Sequence, residues 1–82
     1  MKIQIDHDAE KYLTRLNSET KERIRLAISG IMKTPPEGDI KPLRGKLNGK
    51  HRLRVGNLRI IYARSPEQLE IIKILPRGDA YK

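Results

Sequence analysis

The chain has 82 residues, a formal net charge of +8 and no cysteine. That length fits one small domain, residues 1–82, with an economical core. The missing cysteines exclude disulfides and thiolate metal sites and make the cytoplasm the expected compartment. No run of 18 apolar residues exists, so no membrane span is expected, and "MKIQIDHDAE" lacks a signal-peptide core. Only His7 and His51 are histidines, which argues against a histidine metal site or a Ser-His-Asp triad.

In chain order, "KIQI" (2–5) alternates and predicts a short strand. Asp6 or Asp8 then caps a first helix, in which Tyr12, Leu13 and Leu16 form a narrow apolar stripe. "NSE" (17–19) breaks that helix with good N-cap chemistry. A second helix is predicted over 18–32, because Ile24, Ala27, Ile28 and Ile31 recur at i, i+3, i+4 and i+7. "TPPEG" (34–38) stops it, since proline cannot continue the hydrogen-bond ladder. The two helices are expected to lie antiparallel. "DIKPLRGKLNG" (39–49) reads as a loop along a sheet edge.

Beyond it the period changes from 3.6 to 2. "RLRV" (52–55) and "LRIIYA" (58–63) flank Gly56-Asn57, a two-residue hairpin signal. "SPEQ" (65–68) is a second turn and "LEIIKIL" (69–75) a third strand. The fold class is therefore α+β: a short N-terminal strand and two helices packed on one face of an antiparallel sheet of three to four strands.

The charge is uneven. Residues 1–40 carry seven basic and seven acidic side chains, whereas residues 41–82 carry eleven basic and three acidic ones. From Lys41 to Arg64 there is no Asp or Glu at all, the footprint of a polyanion-binding surface. Apolar residues interleave the charges, which a disordered basic tail would not need. With Gly56-Asn57 as the turn, Val55 faces Leu58, Arg54 faces Arg59 and Leu53 faces Ile60. Arg52, Arg54 and Arg59 then share the face away from the helices. Like charges directly opposite cost about 0.2–1 kcal/mol, and a phosphate between them reverses that sign. A merely solvated basic face is the competing interpretation. His51, by alternation, faces the core margin with Leu53 and Val55, and Tyr62 belongs to the core.

The order strand–helix–helix–three strands, the basic "LRGKLNGKHRLRVGNLRIIYA" and the ending "ILPRGDAYK" resemble the RelE/ParE toxin superfamily over nearly the whole chain. The resemblance implies a toxin of a type II toxin–antitoxin system. In its RelE branch the activity is ribosome-dependent cleavage of mRNA in the A site through attack of the RNA 2′-OH, without a metal or other cofactor. It assigns catalytic roles to Arg52, Arg54, Arg59, Arg77 and Tyr81, while Lys41, Arg44, Lys46 and Lys50 are candidate RNA-backbone contacts. The implied partners are a cognate antitoxin, the ribosome and mRNA. In RelE-type enzymes lysines commonly stand where Arg52 and Arg54 do, and arginine stays protonated at neutral pH, so the general base is unassigned. Two alternatives remain: a ParE-like inhibitor of DNA gyrase, and a non-catalytic nucleic-acid-binding module of the same fold.

Overall fold

A computed structural model describes residues 1–47 and 49–76, Leu47 by its backbone alone. The elements are β1 (Lys2–Ile5), α1 (His7–Leu13), α2 (Ser18–Ile31), β2 (Asp39–Pro42), a 3₁₀ turn (Gly45–Leu47), β3 (His51–Val55), β4 (Leu58–Arg64) and β5 (Gln68–Pro76). Among the described residues, no helix is long and apolar enough to cross a membrane.

Local chemistry explains the boundaries. Asp6 occupies the N-cap position of α1 in extended conformation but its side chain makes no capping bond. Asn17 does cap α2, its side chain accepting from the Thr20 backbone N–H at 2.8 Å. That bond satisfies one of the donors left free at a helix start. At the β3–β4 hairpin Gly56 has φ +57°, and among the described residues no non-glycine residue has positive φ. A two-residue turn with positive φ at its first central position alone is the II′ pattern, whose twist suits a hairpin.

The sheet has five strands in the order β1-β5-β4-β3-β2. It is mixed, because β1 runs parallel to β5 while the other pairs are antiparallel. The expected antiparallel sheet of three to four strands is therefore enlarged at both edges. Asp39–Pro42, expected as loop, pairs with β3 from Asp39 opposite Arg54 to Pro42 opposite His51. "DIKP" has one apolar residue, too few to display a period of two, and proline is tolerated there because β2 is an edge strand.

The hairpin register is the predicted one: Val55 opposite Leu58, Arg54 opposite Arg59, Leu53 opposite Ile60. Ala9 of α1 and Ile24, Ile28 and Ile31 of α2 pack with Leu53, Leu58, Ile60, Tyr62, Leu69, Ile71 and Ile74 in one buried cluster. Both helices thus cover the same sheet face. A register irregularity at Ile61/Tyr62 leaves Ile72 outside the pairing with β4, so that Ile71 and Ile74 share the core face despite their odd spacing. Burying each leucine or isoleucine side chain of this cluster contributes about 1.5–3 kcal/mol. The opposite face, by alternation, presents Asp39, Lys41, Arg52, Arg54, Arg59, Ile61 and Lys73.

Candidate phosphate-binding face

The central pair lies where the strands are best fixed. Arg54 on β3 stands opposite Arg59 on β4, two residues from the hairpin turn. Arg54 is exposed; Arg59 is half-buried. The Arg59 Nε and Nη1 atoms are inaccessible to solvent and have no hydrogen-bond partner among the described residues. A guanidinium carries five N–H donors, and buried donors are normally satisfied. Since those two nitrogens are inaccessible, an anion approaching this face meets the exposed Arg54 first, with the Arg59 charge beside it.

Arg52 differs from these two. It lies on the same face, but it is only 6% exposed. Its Nη1 donates to the Asp39 carbonyl at 3.1 Å and to Asp39 Oδ1 at 3.2 Å. Of the three arginines expected to share this face, Arg52 is paired with a carboxylate, whereas Arg54 and Arg59 have no ion-pair partner among the described residues. The carboxylate comes from Asp39, just outside the acid-free run and on the strand that the sequence pattern did not reveal. Arg52 also stands opposite Ile61, which is 3% exposed and lies outside the helix-side cluster. Its stem and its charge are thus both engaged in holding the β2–β3–β4 surface.

The other candidate contacts are dispersed around this centre. Lys41 is exposed on β2, opposite Arg52, and Arg44 and Lys46 are exposed in and beside the 3₁₀ turn. Lys50 is half-buried just before β3. Arg77 and Tyr81 lie outside the described residues. The described chain ends at Pro76, one residue beyond Leu75, which is opposite Arg59. Lys73, exposed on β5 and opposite Ile61, was not identified from the sequence. The β5 irregularity hides it, since its face follows only once Ile72 is recognised as the extra residue.

Besides Asp39, a second acid approaches this face. Glu70 of β5 stands opposite Ala63. Its carboxyl titrates above the usual glutamate range, chiefly because it donates a hydrogen bond to Asp6, with burial and the Asp6 charge adding and Lys50 opposing. Ala63 is four residues from Arg59 along β4, about 13 Å at ordinary strand rise. Glu70 is therefore too distant to serve as a base for a phosphate held at Arg59. Among the described residues no group of three or more His, Asp or Glu side chains is placed to hold a metal ion.

The family model described as "ParE toxin of type II toxin-antitoxin system, parDE" matches residues 3–81. A sequence comparison with curated proteins finds no match. Among solved structures, the chain is similar to a YoeB/ParE toxin from Agrobacterium tumefaciens, with 24% identity, a TM-score of 0.80, and coverage of 94% of this chain and 99% of that one. It is similar to a chain of the archaeal RelE–RelB complex from Pyrococcus horikoshii, with 27% identity, TM-score 0.74, and coverage of 96% and 97%. YafQ from E. coli shares the fold at 13% identity, with a TM-score of 0.78 and coverage of 98% and 97%.

Proposed function

The chain belongs to the ParE toxin family of type II toxin–antitoxin systems, and from that premise we propose that it is a ribosome-dependent endoribonuclease that cleaves mRNA and so inhibits translation. The observation that carries this reading is the Arg54–Arg59 pair, with two buried Arg59 nitrogens that have no partner among the described residues. The acid-poor basic surface around it supports a polyanionic substrate.

The reaction follows from the groups available. The 2′-hydroxyl of the nucleotide 5′ to the cut attacks the adjacent phosphorus, the bond to the 5′-oxygen breaks, and a 2′,3′-cyclic phosphate and a 5′-hydroxyl result. The nucleophile is the RNA's own, so no step is routed through a metal. Arg54 and Arg59 hold the non-bridging oxygens and stabilise the charge that grows on them. Arg52, tied to Asp39, acts by holding the strand and its neighbours in place. By the chemistry of their side chains, Arg77 holds the phosphorane or acts near the leaving oxygen, and Tyr81 stacks on a base, transfers a proton or orients the scissile phosphate. The partner that neutralises such a face is an acidic antitoxin; the Pyrococcus horikoshii relative, named as a RelE–RelB complex, supports that expectation.

Primer extension on a defined message in a purified translation system tests the proposal, with wild type beside Arg59→Ala, Arg77→Ala and Tyr81→Phe. Ribosome-dependent cuts are expected, reduced about 10²–10³-fold in Arg59→Ala. An intact message with folded wild-type protein overturns the nuclease. Inhibition of gyrase supercoiling in a parallel assay would then establish the alternative activity of the family.

A further inference from the structure

The helix layer stops short of β1. Ile3 is in register with Leu69, a residue of the helix-side cluster, and so faces the same way. Leu69 is 0% exposed, whereas Ile3 is 46% exposed. α1 packs chiefly on β5, the inner neighbour of β1. An open groove of about 450 Å³ remains, with Ile3 and Ile5 in its floor and Leu13, Ile24, Ile28 and Met32 along its walls.

β1 is also an edge strand, and its outer side is free. The Lys2 N–H donates to the Glu67 carbonyl at 2.9 Å, and the Asp6 N–H donates to the Ile71 carbonyl at 2.8 Å. Strand alternation then turns the N–H and C=O groups of Ile3 and Ile5 away from β5. Among the described residues, no strand pairs with them on that side. Edges are commonly blunted by proline or a bulge. β1 has no proline, and its register with β5 runs without a bulge.

The stretch from Lys2 to Asp6 is complementary to itself. Set antiparallel to a second copy, about a two-fold axis at Gln4, Ile3 stands opposite the partner's Ile5. Gln4 then meets the partner's Gln4, and Lys2 meets the partner's Asp6. Ile3 and Ile5 carry the outward backbone groups, so both isoleucine pairs are hydrogen-bonded pairs. Lys2, Gln4 and Asp6 form the other kind of pair, in which side chains approach most closely. Glu70 donates a hydrogen bond to Asp6, so each incoming Lys2 meets two acids. Local charge does not oppose the approach. Residues 1–40 carry seven basic and seven acidic side chains, and the net +8 belongs to the remainder of the chain.

We propose that a second copy of this chain docks here, β1 against β1 in that register. The product is a two-fold symmetric dimer in which the two five-stranded sheets become one. Each exposed Ile3 is covered by the partner's Ile5, and the two apolar grooves meet at the axis. The proposal does not depend on the nuclease reading.

The test is sedimentation velocity of the intact chain from micromolar to millimolar concentration, with amide hydrogen exchange at both ends of the series. Wild type should pass from monomer to dimer, and the Ile3 and Ile5 amides should become protected as it does. Lys2→Asp and Asp6→Lys each put like charges opposite one another at two symmetry-related places, and each should weaken association about tenfold. An equal mixture of these two variants restores both ion pairs with the signs exchanged, and should associate more strongly than either variant alone. If Asp6→Lys does not fold, Lys2→Asp and Ile3→Lys, both at exposed side chains, carry the test, and each should stay monomeric where wild type dimerises. A wild-type chain that is monomeric throughout overturns the proposal and leaves the edge to a strand of another protein. A dimer that these substitutions do not weaken, or that leaves the Ile3 and Ile5 amides exchanging freely, uses another interface and overturns it equally.

Discussion

The two faces of this sheet are made by the same strands, residue by residue in alternation, yet they obey different rules. On the helix side, Leu53, Ile60, Leu69 and Ile71 are each at most 1% exposed and pack against α1 and α2. On the other side, Arg54 opposes Arg59, and two Arg59 nitrogens stay unsatisfied among the described residues. The first face minimises free energy in the isolated chain. The second does not, since both like-charge opposition and buried unpaired donors are unfavourable. A surface that stabilising substitutions would readily improve is best explained by a ligand that completes it.

Substitutions on each face sharpen the contrast. The largest expected effect is on the helix side: Ile60→Ala should lose about 2–5 kcal/mol. A chain of this size holds on the order of 4–12 kcal/mol in all, so urea unfolding should find the variant near the edge of stability. Next is Asp39→Ala, which leaves the buried Arg52 with only the Asp39 carbonyl. A loss of about 1–2 kcal/mol is expected, below that of a fully buried pair because the Asp39 side chain is 54% exposed. An unchanged midpoint would mean that Arg52 is not held by this ion pair. The smallest effect is at Glu70. Its folded pKa lies above the ordinary value, so the folded state binds more protons in the window just above the usual glutamate range. Stability therefore falls as pH rises through that window. Glu70→Gln should flatten this dependence by under about 0.5 kcal/mol, measured as unfolding midpoints between pH 4 and 7.

What the sequence made legible follows the same division. The spacing of Ile24, Ala27, Ile28 and Ile31 predicts α2 because a helix must bury a stripe. The alternation around Gly56-Asn57 predicts the register because a one-residue slip would expose the core face. Edge features were harder to see. β2 is a strand because β3 offers a free edge, a fact that "DIKP" does not contain. β1 pairs parallel with the distant β5, which no local pattern encodes. The opposition of Arg54 and Arg59 was readable directly from the hairpin. The neutralisation of Arg52 was not, because its partner Asp39 sits on the unpredicted strand. His51 sits half-buried at the core margin, as alternation predicts, and its stacking on Tyr62 follows from the same hairpin register.

The proposed function requires that the like-charged Arg54–Arg59 pair be neutralised by an oxyanion rather than by the chain itself. This requirement is tested most directly by urea unfolding of wild type and Arg59→Met in sodium chloride and in sodium phosphate at equal ionic strength. Phosphate strengthens burial in any protein, so the informative quantity is the difference between the two chains. In chloride, Arg59→Met should match or exceed wild type, by up to about 1 kcal/mol, because an unpaired donor set and a repulsion are removed. In phosphate, wild type should gain more than the variant. A clear loss of stability in Arg59→Met in chloride, or an equal gain for both chains in phosphate, would contradict the claim and make Arg59 a structural residue.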